Sequence, residues 1–409
     1  MLTRLITLIT SWALVIFYFF QAIKTVFPEP TIWWLYWTFE CILFAFVLYI
    51  VLTVKRSVNT SGAVFGIFTL MLISFIPKLI AIPVLLVEDI IRIISFTVRS
   101  ITHSGTSQHA VIYLASRNLI ISKLSLTIAL IPFASLIWGI LNGKYNYRVH
   151  QVSIKFADLP NQFNGFTITQ LSDIHSGSLI DKLAVEKGIN LANAQHSDLL
   201  LFTGDLVNNS AGEMDKWKAS FSRLEAPYGK YSVLGNHDYG DYIQWETEQA
   251  KATNLDQVKA VNAEIGFRLL LNEHVQIKKN GQHLILIGVE NWGKGRFAKH
   301  GDLAKATENI EAGEFIILMS HDPSHWEAEI LKFPKHIHLT LAGHTHGMQF
   351  GIELPFFKWS PIKYVYPQWA GLYEEAGKFI NVNRGFGFLG YPGRFGILPE
   401  ITVITLLKA

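Results

Sequence analysis

The chain of 409 residues has a single cysteine, Cys41. One thiol excludes an intrachain disulfide and any zinc site built from cysteines. Basic runs are short, none reaching five residues, and the formal net charge is only +3. Both argue against a nucleic-acid groove, which needs clustered cations to meet phosphates. The extramembrane part shows no internal repeat, and the chain has no low-complexity tract. Charge of either sign is scarce in the first third. Residues 5–23, 57–77 and 124–143 carry none, and residues 31–54 carry only Glu40.

What stands in place of charge is apolar length. Each of those four stretches is long enough to cross roughly 30 Å of hydrocarbon as a helix. A signal peptide would account for the first stretch alone. Trp33, Trp34 and Trp37 gather near one end of the second, as interfacial aromatics do. Glu40 and Lys78 fall at similar depths if the second and third spans are antiparallel, so an ion pair or a snorkelling Lys78 is expected. Pro77 and Pro83 predict a kink in the third span. Residues 90–101 have the pattern of an interfacial amphipathic helix. Basic residues flanking the spans tie at five on each side, so charge does not orient the chain.

From about residue 150 short apolar runs alternate with polar helical stretches. Strands are predicted at Phe166–Leu171, Leu199–Phe202, Tyr231–Leu234, His283–Val289, Phe315–Met319, His336–Leu341, Phe379–Val382 and Ile401–Leu407. Helices are predicted over 179–195, 212–224 and 244–264. Strands followed by helices, then strands in quick succession, imply an α/β sandwich of two sheets.

Polar residues fall repeatedly where these strands end. Asp173-x-His175 follows the first, Gly204-Asp205 the second and Gly235-Asn236-His237-Asp238 the third. His321 and Gly343-His344-x-His346 follow two later ones. Loops at strand C-termini converge in such sheets, so these distant residues can share one pocket. A carboxylate such as Asp205 has two oxygens and can bridge two cations. Mixed Asp, Asn and His donors suit Mn²⁺, Fe or Zn²⁺ better than Ca²⁺ or Mg²⁺.

These five blocks resemble those of the calcineurin-like metallophosphoesterases. Gly235-Asn236-His237-Asp238-Tyr239 and the ending Asn383-Arg384-Gly385, Arg394-Phe395-Gly396 and Pro399-Glu400-Ile401 are similar to the bacterial membrane-associated, YkuE- and YaeI-like branch. The resemblance covers roughly residues 165–409 and implies a four-layer α/β/β/α metallophosphoesterase sandwich; the domain is expected over 150–409, preceded by the four-helix transmembrane region that the apolar stretches give over 1–149. It implies Asp173, His175 and His346 at one metal ion, Asn236, His321 and His344 at a second, and Asp205 as the bridge. His237 then contacts the phosphoryl oxygen or protonates the leaving group. Asp238 is a candidate to orient His237, with a turn or capping role as the alternative. The branch often carries twin arginines ahead of the domain; here Ser116-Arg117-Asn118 has one.

The expected activity is hydrolysis of a phosphoester or pyrophosphate by attack of a hydroxide on two divalent ions, Mn²⁺ first, with Fe or Zn²⁺ as alternatives. Four spans favour a lipid-linked substrate, a phospholipid or a UDP-diacylglucosamine-type precursor. Arg384 and Arg394 are candidates to hold its phosphate. Aromatic residues and lysines over 351–375 form either a packed loop or an amphipathic rim facing headgroups. The alternatives are a membrane-anchored phosphodiesterase or phosphatase for soluble esters, and a non-enzymatic scaffold. The expected setting is the bacterial inner (cytoplasmic) membrane, with the lipid bilayer as partner, no nucleic acid and no protein partner.

Overall fold

A computed structural model describes residues 2–53, 61–102, 117–295 and 297–409. These fall into two compact units, one ending at Trp138 and one beginning at Gly139. Lys55 and Arg56, two of the flanking basic residues, lie outside the described residues. So does Ser116 of the single-arginine segment.

The apolar stretches form α1 (Leu2–Val26), α2 (Pro30–Thr53), α3 (Ser61–Thr102) and α4 (Leu119–Leu141). All four are long and apolar enough to cross a membrane. Their side chains are distributed inside out. Trp34, Phe39, Ile42 and Phe46 are exposed, while Glu40, Ser74, Lys78 and Ser125 are buried. That is the arrangement a hydrocarbon solvent favours, because polar groups there find partners only within the protein. Lys78 Nζ lies 2.7 Å from Glu40 Oε1 and also donates to Ser74 O and Oγ. The expected pair therefore forms, with Ser74 completing it. α3 stays helical through Pro77 and Pro83. The segment 90–101 continues α3 rather than forming a helix of its own. At its start Glu88 and Asp89 pair with Arg92 and with Arg117, whose guanidinium reaches Glu88 at 3.2 Å and Asp89 at 2.8 Å.

The second unit holds two six-stranded sheets. The first is ordered β1 (Arg148–Phe156), β14 (Glu400–Lys408), β2 (Phe166–Leu171), β3 (Leu199–Phe202), β4 (Lys230–Ser232) and β5 (Arg268–Leu269). The second is ordered β12 (Gly371–Glu375), β13 (Lys378–Val382), β9 (Leu339–Ala342), β8 (Ile316–Met319), β7 (Gln282–Gly288) and β6 (Glu273–Lys279). A two-stranded hairpin, β10 (Ile352–Leu354) and β11 (Phe357–Trp359), stands apart from both. Strands β2 to β5 run parallel, as do β7, β8, β9 and β13.

Burial explains the layering. Ile168, Leu199 and Leu201 of one sheet pack against Leu286, Ile317 and Leu341 of the other. The outer face of the first sheet is covered by α5 (Lys182–Asn193) and α6 (Glu248–Glu264) through Val185, Ile189, Val258 and Val261. Trp326, Leu303 and Ile330 cover the outer face of the second. The result is the four-layer α/β/β/α sandwich expected from the sequence. Asp181 and Thr247 cap the starts of α5 and α6 by accepting from Ala184 N and Ala250 N. The helix expected over 212–224 is instead a turn at Ala211–Met214 and a short helix at Lys218–Phe221. Glu213 is drawn away from a helix face: its carboxylate accepts from the backbone of Asn208, Asn209 and Ser210.

Candidate metal centre

Strands β2, β3 and β4 end beside β8 and β9 of the facing sheet, and the loops that follow meet. They meet closely. A Cβ built on Gly343 would stand 1.9 Å from Ser172 Oγ and 2.3 Å from Asp173 Oδ2, and one on Gly235 would stand 2.2 Å from Asp205 Oδ1. Only glycine permits that approach. Asp173, His175, Asp205, His344 and His346 all have positive φ, between 47° and 69°. Each such non-glycine residue costs about 1–3 kcal/mol and persists only where its surroundings over-determine it.

The side chains gather in two groups. Asp173, His175 and His346 each present a ligand atom, all within 4.8 Å of one another, and Asp205, His321 and His344 do the same. Asp205 Oδ2 links them, 3.5 Å from His175 Nε2 and 3.2 Å from His321 Nε2. Asn236 Oδ1 joins the second group, 2.8 Å from His344 Nδ1 and 3.2 Å from His321 Nε2. His346 Nε2 stands 3.2 Å from Asp173 Oδ1. All seven sequence-derived ligands therefore converge.

Hydrogen bonds outside the groups aim the imidazoles inward. His321 Nδ1–H donates to Thr203 O at 2.7 Å, which turns Nε2 to the pocket. His175 Nδ1–H donates to Asn208 Oδ1 at 3.1 Å. His344 Nε2 faces Tyr366 Oη at 2.9 Å, and that hydroxyl donates to Asp322 Oδ2 at 3.4 Å, leaving Nδ1 to the pocket. Such outer partners fix the tautomer and orientation of ligating histidines. His175 Nε2 and His346 Nε2 are buried without a hydrogen-bond partner. Orphaned nitrogens facing carboxylates are what a cation site leaves when its ion is taken away, so the residues fit a metal.

Charge is strongly coupled here. Burial would raise both carboxyls, yet His346 and His321 hold Asp173 below the ordinary carboxylate range, and His321 and His237 do the same for Asp205. Burial opposes a charge on His321, but Asp205 and Asp173 outweigh it and lift its pKa to about 10. Burial keeps His175, His237 and His344 below the ordinary histidine value.

His237 lies at the edge of both groups. Its backbone N–H donates to Asp205 Oδ1 at 2.8 Å, its Nδ1–H donates to Asn208 O at 2.8 Å, and its ring stacks on Tyr242. Its Nε2 is thereby left for another partner. Asp238 does not orient it. The Asp238 carboxylate accepts from the backbone N–H groups of Asp205, Leu206, Val207 and Gly235, so it braces two loops, and Asn208 holds the His237 ring instead.

The two arginines differ from expectation as well. Arg384 is buried between Glu400 and Glu353. Arg394 is fully buried; it donates to Gly387 O and Arg384 O and lies 3.0 Å from His346 Nδ1. Both guanidinium groups are buried and engage protein acceptors through their Nη atoms, while Arg384 Nε is buried without a hydrogen-bond partner. Arg394 positions a candidate ligand. The aromatic segment divides: Trp369 packs with Ala370 and Ile397, whereas Phe356, Phe357 and Tyr364 are exposed. Asn208, Tyr242, Asp322 and Tyr366 are the site residues that the strand-end pattern missed. Asn208, three residues after Asp205 in the same loop, and Asp322, directly after His321, had a local signal.

Residues 3–144 match the family model described as "Probable Calcineurin-like phosphoesterase, transmembrane domain", and residues 166–348 match "Calcineurin-like phosphoesterase". The chain is 30% identical over 260 residues to the uncharacterized metallophosphoesterase YkuE of Bacillus subtilis, covering 62% of this chain and 83% of that protein. It is 29% identical over 277 residues to a metallophosphoesterase of Aquifex aeolicus, covering 66% of this chain and 97% of that one. A bovine transmembrane protein with a metallophosphoesterase domain is 29% identical over 284 residues, 66% of this chain and 60% of that one. With two candidate metal groups in one pocket and helices fit to cross a membrane, the chain belongs to the calcineurin-like metallophosphoesterases that carry a transmembrane region.

Proposed function

We propose that the chain is a dinuclear hydrolase of phosphoester or pyrophosphate bonds in a lipid-linked substrate, such as a phospholipid or a UDP-diacylglucosamine-type precursor. In this reading residues 1–149 are the transmembrane region, residues 150–409 the catalytic domain, and the branch is that of YkuE. The observation that carries it is the pair of ligand groups sharing Asp205 Oδ2. Asp173, His175 and His346 would hold one ion and Asn236, His321 and His344 the other, with Asp205 offering its carboxylate to both. The donor set favours Mn²⁺, then Fe or Zn²⁺. When bound there, two such cations would supply Lewis acidity toward phosphoryl oxygens and lower the pKa of a bound water toward neutrality.

The chain's own residues do the rest. Asp205 also accepts the His237 backbone N–H, so the bridge and the proton carrier are set by one carboxylate. His237 is held neutral by burial with Nδ1–H committed to Asn208 O, so its free Nε2 can take the proton given up by the attacking water. Once protonated there, it donates to the departing oxygen. Asn208 fixes both His175 and His237 and thereby couples ion placement to proton transfer.

The lipid-linked substrate is supported by the four membrane-spanning helices. The test is a screen of the purified, Mn²⁺-loaded full chain against phospholipids, nucleotide-linked lipids and water-soluble esters in detergent. A higher kcat/KM for a lipid-linked ester or pyrophosphate is expected. Equal or better turnover of soluble esters would favour a membrane-anchored phosphodiesterase, and no turnover with metal bound would favour a scaffold.

A further inference from the structure

We infer that the hairpin β10–β11, with the turn that follows it, inserts into the surface of a lipid bilayer and holds the mouth of the metal pocket against it. The hairpin is a small element with a large apolar exterior. Phe356 is 88% exposed, Tyr364 74%, Val365 71%, Phe357 49%, Leu354 48% and Ile352 46%. Isolated exposed apolar residues are ordinary, but a contiguous cluster on one projecting element marks an interaction surface.

Charge has been cleared from that surface. Glu353 is paired with Arg384 beneath it. Lys358 folds inward, donating to Ala370 O with its Nζ 5.1 Å from the Trp369 ring and 5.3 Å from that of Tyr373. Lys363 remains at the edge, over Tyr364. An apolar tip with tyrosine and lysine at its margin is the composition that settles at a headgroup boundary.

The segment that follows the hairpin is bonded to the candidate ligand loop. Ser360 Oγ donates to Gly347 O at 2.8 Å, and Thr345 Oγ1 donates to Trp369 O at 2.7 Å. Tyr366 reaches His344. Gly347 and Thr345 flank His346, so the base of the hairpin is anchored at the edge of the pocket. The occupant is a bilayer because the chain itself carries four helices fit to cross one. That contact stands on the surface alone. Its consequence, that the substrate is drawn from the same leaflet, rests on the function proposed above.

The experiment uses the full chain with Cys41→Ser and one new cysteine, Phe356→Cys, labelled with a polarity-sensitive fluorophore. The chain is reconstituted in vesicles of phosphatidylethanolamine and phosphatidylglycerol containing a shallow nitroxide-labelled lipid. A blue-shifted emission quenched by the nitroxide is expected at position 356 and at a second site, Tyr364→Cys. The exposed position Glu311→Cys should stay unquenched. A water-like, unquenched spectrum at both hairpin sites would overturn the inference, and cross-linking between copies there would assign the patch to a second copy instead. If the hairpin probes are quenched but neither vesicle-borne nor soluble esters are hydrolysed, the bilayer contact stands and the catalytic reading falls.

Discussion

His237 and Asp205 sit 2.8 Å apart through one backbone hydrogen bond, yet their jobs are separable. His237→Gln keeps the loop and removes the proton carrier. Turnover should fall about 10²–10⁴-fold with both ions retained, read by steady-state kinetics beside metal analysis. Gly343→Ala places a methyl group 1.9 Å from Ser172 Oγ. A loss of about 1–3 kcal/mol of stability is expected, together with weaker metal retention, because Asp173 must move. Thermal unfolding with and without Mn²⁺ checks both, and an unchanged melting temperature would contradict the packing argument. Seven candidate ligands were legible because each follows a strand-like run. The roles of Arg384, Arg394 and Asp238 were not. A glycine-rich loop reads as exposed, and nothing local reveals that Glu400, sixteen residues along, will bury Arg384. Nor does the sequence reveal that Asp238 will meet four backbone donors rather than the ring next to it.

At the scale of elements, burial decides what a sequence shows. β3 and β8 are buried throughout and read as plain apolar runs. β1 is Arg-Val-His-Gln-Val-Ser-Ile-Lys-Phe, buried only toward its end, and its edge position hid it. The helix expected over 212–224 failed for a different reason: Glu213 satisfies three backbone donors of the loop that carries Asn208, which ends the turn. In the membrane helices the reverse holds. Glu40 and Lys78 were conspicuous because charge there is rare, and equal depth on antiparallel helices anticipated the contact. Removing one partner strands the other in an apolar setting, so Glu40→Gln or Lys78→Met alone should destabilise the helical unit by about 3–5 kcal/mol. The double variant should recover most of that loss. Detergent unfolding of the three chains tests it, and a double variant as unstable as the sum of the singles would contradict a coupled pair.

For the whole molecule, the two sheets matter because their C-terminal edges meet: β2, β3 and β4 supply one part of the pocket and β8 and β9 the other. A pocket assembled from both sheets couples metal binding to folding, so chelation should lower the melting temperature and Mn²⁺ should restore it. It also couples metal binding to protons. In the metal-free pocket His321 holds its proton up to about pH 10, since its neighbouring carboxylates outweigh burial. A ligating nitrogen must lose that proton, so metal affinity should rise with pH, by about tenfold per pH unit for one proton released. Calorimetric titration of Mn²⁺ between about pH 6 and 9 reads the slope, and a pH-independent affinity would contradict His321 as a ligand.

The central claim is that Asp205 joins two ions in one pocket. Its most direct test is metal analysis of the purified full chain and of Asp205→Ala, each loaded with Mn²⁺ and assayed on a phosphodiester. The wild-type chain should retain about two ions and turn over. Asp205→Ala should lose both retention and turnover. An Asp205→Ala chain that keeps its ions and hydrolyses normally would contradict the account.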